Sequence, residues 1–259
     1  MHNRQCSKTF QYPNPLIACN HSLIDMIQDN LTAITNRITA AAFRANRSPA
    51  DIKLVAVSKR MPSEKILQAI ENGHYTFGEN YVQEALEKIS FIKESKGENE
   101  ISFHFIGKLQ SNKARKAAEI FDVIETVDSL KLARTLEKHL ATLNKNLAAY
   151  LQVNIGKEKQ KSGVMPENCE QLLQELSQFQ HLKIVGLMTM PPYFTDPEKV
   201  RPYFRQLRQL SEKLAAKSLI GQFGPVELSM GMSGDFEIAI EEGATVIRIG
   251  TAIFGSRER

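Results

Sequence analysis

Eight times along this chain a short apolar run gives way to a longer stretch of helical periodicity, and few architectures accommodate such an alternation;. The runs lie at Leu54–Val57, Tyr75–Asn80, Ser102–Ile106, Val123–Val127, Ala149–Val153, Ile184–Met188, Glu227–Met230 and Val246–Ile249. Between them, apolar residues recur three or four apart over Ser63–Asn72, Val82–Lys93, Ser111–Glu119, Leu130–Leu143, Pro166–Phe179, Pro197–Lys217 and Asp235–Glu242, with a short helical segment after Gly250. Such spacing predicts amphipathic helices between buried strands. Gly73 suits a helix C′ position, Asp128-Ser129 a helix start and Pro166 a first turn;. Residues 96–100 read as a surface loop.

A helix that follows every strand carries the chain back to the same end of the sheet, so the strands run parallel. Eight such units in 259 residues predict an α/β fold, a single (β/α)8 TIM-type barrel;. The competing architecture is an open doubly wound sheet. Its dinucleotide-binding version carries Gly-x-Gly-x-x-Gly, which this chain lacks;. Ahead of the first strand, Leu23, Ile27, Leu31, Ile34, Ile38 and Phe43 keep one helical rhythm. They predict an extra N-terminal helix from Asn20, capped by Asn20 or Ser22. Residues 1–19 read as a polar N-terminal extension and 20–259 as the barrel domain.

Composition removes several function classes. Net charge is +4, from 33 basic and 29 acidic residues spread along the chain, which predicts neither a nucleic-acid nor a membrane partner;. No apolar run reaches the roughly 20 residues of a membrane span. Residues 1–20 contain Arg4 and Lys8 without the continuous apolar core of a secretory signal;. Cys6, Cys19 and Cys169 have no metal-ligand spacing and cannot all pair, which fits a reducing, cytoplasmic compartment;.

In a parallel barrel the C-terminal strand ends form the mouth where ligands collect. Lys59, Asn80, Gly107, Met188, Ser229–Ser233 and Arg248–Thr251 would all stand on that face. Lys59 follows an unbroken apolar strand, and an amine desolvated there can lose its proton and attack a carbonyl. A surface lysine at a strand end is the plainer reading. Ser229-Met-Gly-Met-Ser233-Gly and Gly250-Thr251 each lead into a helix, as phosphate-holding loops do and as ordinary turns do;. Arg248 interrupts an apolar strand and needs a partner, either a buried glutamate or a ligand;. His104 reads as a satisfied structural histidine, and Lys108, Lys113, Arg115 and Lys116 as a solvated helix face;.

Together, Ala56-Val-Ser-Lys59, Phe77-Gly-Glu-Asn80, Phe103-His-Phe-Ile-Gly-Lys-Leu-Gln110, Gly186-Leu-Met188, Leu228-Ser-Met-Gly-Met-Ser233 and Arg248-x-Gly250 resemble the pyridoxal phosphate homeostasis protein family. The resemblance runs in order over roughly residues 25–257. It implies a fold-type III barrel, like the N-terminal domain of alanine racemase, binding pyridoxal 5′-phosphate (PLP) as a covalent aldimine to Lys59. Asn80 would reach the ring hydroxyl and Arg248 would face the pyridine nitrogen. Met188 would belong to the cofactor site, and Ser229, Gly231, Ser233, Gly250 and Thr251 would surround the phosphate. Arg60-Met61 stands where a Thr-x pair is more usual, at no cofactor contact.

PLP alone permits many reactions, and the protein selects among them. A guanidinium does not readily give its proton to the ring, which leaves a weaker electron sink. Racemases of this fold also draw a second base from a C-terminal domain, and the chain ends at Arg259. The expectation is therefore a monomeric PLP carrier or regulator in vitamin B6 homeostasis, serving PLP-dependent apoenzymes, and not an enzyme. The alternatives are a racemase-like enzyme with Lys59 as its single base, and an interaction module that responds to PLP occupancy.

Overall fold

The computed structural model describes residues 15–96 and 101–255, with side chains for residues 26–95 and 101–255. Eight parallel strands close into a barrel in sequence order: β1 (Lys53–Val57), β2 (Thr76–Glu79), β3 (Ser102–Phe105), β4 (Val123–Val127), β5 (Leu147–Gln152), β6 (Leu182–Met188), β7 (Glu227–Ser229) and β8 (Val246–Ile249). β8 pairs with β1 in the register Lys53↔Val246 and Val55↔Arg248, which completes the ring. The helices are α1 (Pro15–Arg44), α2 (Ser63–Glu71), α3 (Val82–Lys96), α4 (Ala114–Ile120), α5 (Leu130–Leu143), α6 (Cys169–Leu176), α7 (Arg201–Ala216), α8 (Phe236–Glu241) and α9 (Thr251–Phe254). Single 3-10 turns precede α4, α6 and α7, where an unbroken helix was the expectation.

Alternation along each strand divides the side chains. Phe77, Phe103, Phe105, Ile124, Leu151, Leu187, Ile247 and Ile249 face outward into the shell of helices, the main core. Val55, Tyr150, Met188 and Val246 form a second, separate cluster inside the barrel. Beside that cluster the interior is polar: His104, Glu125, Ser229 and Arg248 are all buried, with Arg248 in register with Val55 and Ser229 with Met188. The fold thus sets a charged layer under its own mouth.

Local chemistry explains the element ends. The Ser129 hydroxyl accepts from the Leu132 amide and starts α5, a contact that typically stabilises a helix by about 1 kcal/mol. Gly73, after α2, has φ +79°, a conformation open to glycine at no steric cost. Helix α1 begins at Pro15 and not near Asn20, so Asn20 and Ser22 lie inside it; a proline suits a first turn because its φ is already helical;. The expected polar extension lies outside the described residues as far as residue 14, as do residues 97–100 of the expected loop. Ile27, Leu31, Ile34 and Ile38 are buried as their rhythm predicts, but Phe43 is 65% exposed; Ala41 and Ala42 take the inward positions. Helix α1 and the turn after it hold the elements on either side of β8, through Asn30 Nδ2 to Ile253 O in α9 (2.9 Å) and Arg47 Nη1 to Ile240 O in α8 (2.8 Å) and to Ala244 O after it (2.7 Å). Among the described residues, no helix is long and apolar enough to cross a membrane.

Candidate functional site

Lys59 lies two residues beyond β1, in a turn whose backbone is held from several sides. The Met61 amide donates to Ser58 O at 3.0 Å. Arg60 has φ +58°, and its amide donates to Glu84 Oε1. Lys88 Nζ, nearly buried, reaches Ser58 O (2.7 Å), Glu79 Oε1 (2.9 Å) and Glu84 Oε1 (2.6 Å). The Ser58 hydroxyl donates to the same Glu79 oxygen at 2.7 Å. Burial pushes the Glu79 carboxyl above the usual carboxylate range, against the pull of Lys88 and Ser58. Glu79, which the sequence suggested only as a support for its neighbours, is therefore part of the footing of the lysine turn.

Lys59, Asn80, Ser233, Arg248, Gly250 and Thr251 line one cavity of about 270 Å³ at the barrel mouth. Asn80 Oδ1 is buried there and finds no donor among the described residues. From the β7 loop, the Ser233 and Gly234 amides find no acceptor among the described residues. The first amides of α9 precede any intrahelical acceptor, as at every helix start. Gly231 has φ +99°, and a Cβ there would stand 2.7 Å from Ala239 Cβ, so the β7 loop packs directly onto α8. The cavity thus gathers an amine, a guanidinium, an amide oxygen and free backbone N–H groups.

Three further residues singled out in the sequence lie outside this cavity. Met188 packs inside the barrel beside Val55 and Tyr150. Gly231 is behind the cavity wall, with its carbonyl accepting from the Arg248 amide at 3.0 Å. Ser229 turns its hydroxyl into the interior, donating to Glu125 Oε2 at 2.6 Å and accepting from Arg248 Nη1.

Arg248 does have the buried glutamate, and it lines the cavity as well. Its Nη1 is 3.5 Å from Glu125 Oε2, and its Nη2 donates to Thr189 O at 2.9 Å. His104 Nδ1 meets the other Glu125 oxygen at 2.7 Å, and since a carboxylate only accepts, that nitrogen carries the proton. Burial works against the Glu125 carboxylate, but His104, Arg248 and Ser229 together hold it below its ordinary range. Burial likewise lowers the Arg248 guanidinium, which Glu125 and Asp235 oppose. Glu125 and Thr189 were missed in the sequence. The one available signal was a glutamate alternating with apolar residues in β4.

A larger cavity of about 490 Å³ adjoins the first, sharing Met190, Met232 and Gly234 with it. Its lining includes Pro191, Pro192, Phe194 and Val200, and neither Lys59 nor Arg248 lines it. The reactive groups are in the smaller space. Among the described residues, no group of three His, Cys, Asp or Glu side chains could hold a metal ion.

The family described as "Alanine racemase, N-terminal domain" matches residues 30–258. A "Pyridoxal phosphate homeostasis protein" of Vibrio alginolyticus is 42% identical over 233 residues, covering 90% of this chain and 98% of that protein. A solved structure of an unknown protein from Bifidobacterium adolescentis superposes with a TM-score of 0.82 at 33% identity, over 90% of this chain and 96% of that one. PipY of Synechococcus elongatus, solved with PLP bound, gives a TM-score of 0.76 at 36% identity, over 88% of this chain and all of that one.

Proposed function

The chain belongs to the alanine racemase N-terminal domain family and, within it, to the pyridoxal phosphate homeostasis proteins, and we propose that it binds PLP through a reversible Schiff base to Lys59 and serves to hold and release that cofactor. The carrying observation is the convergence of Lys59, Asn80, Arg248 and two loop segments on a single cavity of about 270 Å³. Each group in it answers a part of the molecule. Lys59 Nζ suits the aldehyde. Asn80 Oδ1, buried and without a donor among the described residues, suits the ring hydroxyl. The open amides of Ser233 and Gly234 and the start of α9, with the Ser233 and Thr251 hydroxyls, suit the phosphate;. Bound PLP would supply an electron sink for amino-acid chemistry, and the protein decides whether that sink is used.

Arg248 supports the carrier reading over the enzyme reading. Paired to Glu125, it keeps its proton and presents the ring with a fixed cation in place of an acid;. Ser229 and Met188 then act from inside the barrel, Ser229 by bracing Arg248 and Met188 by filling the interior beside Ser229. The recipients would be PLP-dependent apoenzymes, with the carrier itself a cytoplasmic monomer.

The test is the near-visible absorbance of the protein titrated with PLP, before and after borohydride. An imine band removed by reduction, with the label recovered on Lys59, is the expected result. Absence of any band, or label on another lysine, would overturn the assignment. Amino-acid turnover by the loaded protein would replace the carrier with an enzyme.

A further inference from the structure

We infer that Glu125 is a positioning residue for Arg248, anchoring the guanidinium from beneath so that it meets the ring of a bound ligand in one orientation. This rests on the PLP reading of the cavity but concerns a residue that does not line it. Glu125 lies on β4 and Arg248 on β8, so the pair spans the barrel interior. The Glu125 side chain is fully buried and that of Arg248 is 3% exposed.

Both carboxylate oxygens are engaged. Oε1 takes His104 Nδ1 at 2.7 Å, which fixes the carboxylate plane. Oε2 takes the Ser229 hydroxyl at 2.6 Å and stands 3.5 Å from Arg248 Nη1. The Ser229 hydroxyl also accepts from that Nη1, so it links acid and base. On the opposite arm, Nη2 donates to Thr189 O at 2.9 Å. Two anchors on different arms stop a planar fork from rotating, and what they leave of the guanidinium lines the cavity with Lys59 and Asn80;.

Filling space does not explain this arrangement. The neighbouring inward positions of the interior are Val55, Tyr150, Met188 and Val246. A buried ion pair is commonly no more stabilising than apolar residues of similar volume, because both charges lose their hydration. Its distinct consequence is a cation with fixed direction. The four side chains come from β3, β4, β7 and β8, and the Thr189 carbonyl follows β6, so only the closed barrel brings them together.

The test uses the full chain and four forms: wild type, Glu125→Gln, Arg248→Gln and the double variant, each titrated with PLP and scanned for band position. Glu125→Gln should weaken PLP binding about tenfold and move the band, since one charged hydrogen bond is lost. The double variant should bind within about twofold of Arg248→Gln alone, because a residue acting through another adds nothing once that other is gone. Competition by inorganic phosphate should be unchanged in Glu125→Gln. Multiplying effects, or a lowered melting point with wild-type affinity and band, would reduce Glu125 to a structural residue.

Should Glu125→Gln fold poorly, Ser229→Ala removes only the link and should weaken PLP binding by a few-fold with the same band shift; an unmoved band overturns the inference. Nitrogen NMR of Arg248 separates this inference from the PLP reading. In the unliganded chain, its two Nη resonances should be distinct in wild type and averaged in Glu125→Gln. A wild type that shows no imine band overturns the PLP reading while this signature stands; averaged resonances in wild type overturn the anchoring itself.

Discussion

A Cβ built on Gly107 would stand 2.2 Å from the carbonyl oxygen of Asn80, closer than any two such atoms can pack. The ends of β2 and β3 therefore approach through a position that only glycine fills, and that approach sets the backbone of Asn80. Gly107→Ala must push the two strand ends apart. We expect a loss of about 1–3 kcal/mol, typical of overpacking, together with weaker PLP binding. Urea unfolding and the PLP titration read the two effects. Unchanged affinity in a destabilised variant would detach Asn80 from the ligand.

Lys59→Ala should remove the imine band and leave the fold intact. The turn at Ser58–Met61 is held by the Met61-to-Ser58 backbone hydrogen bond and by Lys88, Glu79 and Glu84. The change in unfolding free energy should stay within about 0.5–1 kcal/mol, the usual range for a substitution at a half-exposed position. By contrast, Lys88→Met should lower stability and weaken PLP binding together, because it leaves Glu79 buried without its cation;. Equal behaviour of the two variants would refute the division between reacting group and footing.

Much of this was legible in the sequence, and what was not has a physical reason. Strands β4 and β8 and helix α5 fall on their expected residues because apolar period and cap agree there. The helix α1 face failed at Phe43, where hydrophobicity matched but the angular position did not. Six of the nine site residues meet in one cavity. Ser229 shows the limit. Its loop reads as a phosphate cradle, yet alternation along β7 turns its hydroxyl inward to Glu125. A strand pattern tells which residues share a face, but the pairing of Glu125 with Arg248 depends on barrel closure, which no local window contains.

Ser233 and Thr251 offer hydroxyls beside amides that find no acceptor among the described residues, so both should contribute to phosphate binding but neither should dominate. Replacing each by alanine should weaken PLP about three- to tenfold, the net value of one ordinary hydrogen bond, since neighbouring amides and water keep part of the phosphate's contacts. Pyridoxal, which lacks the phosphate, should be bound equally by wild type and both variants. A parallel loss for pyridoxal would place these residues elsewhere on the ligand.

Glu242 ties α7 to the end of α8. Its side chain is 6% exposed and takes Arg205 Nη2 at 2.8 Å and Arg201 Nη1 at 3.3 Å, with Arg208 Nη2 at 3.8 Å. Burial alone would raise the Glu242 carboxyl, but Arg205 and Arg201 outweigh it and hold it below the usual carboxylate range. A folded-state value depressed below the unfolded one gives stability above the unfolded value, about 4.3 for glutamate. That stability disappears as pH falls from there through the folded value. Glu242→Gln should therefore cost about 1–2 kcal/mol at pH near 7, discounted for the solvent around the arginines. In urea unfolding across pH, the gap between wild type and Glu242→Gln should be constant from neutral pH down to about 5 and close below it. A gap that persists at the lowest pH would mean that the glutamate acts through packing and not through its charge.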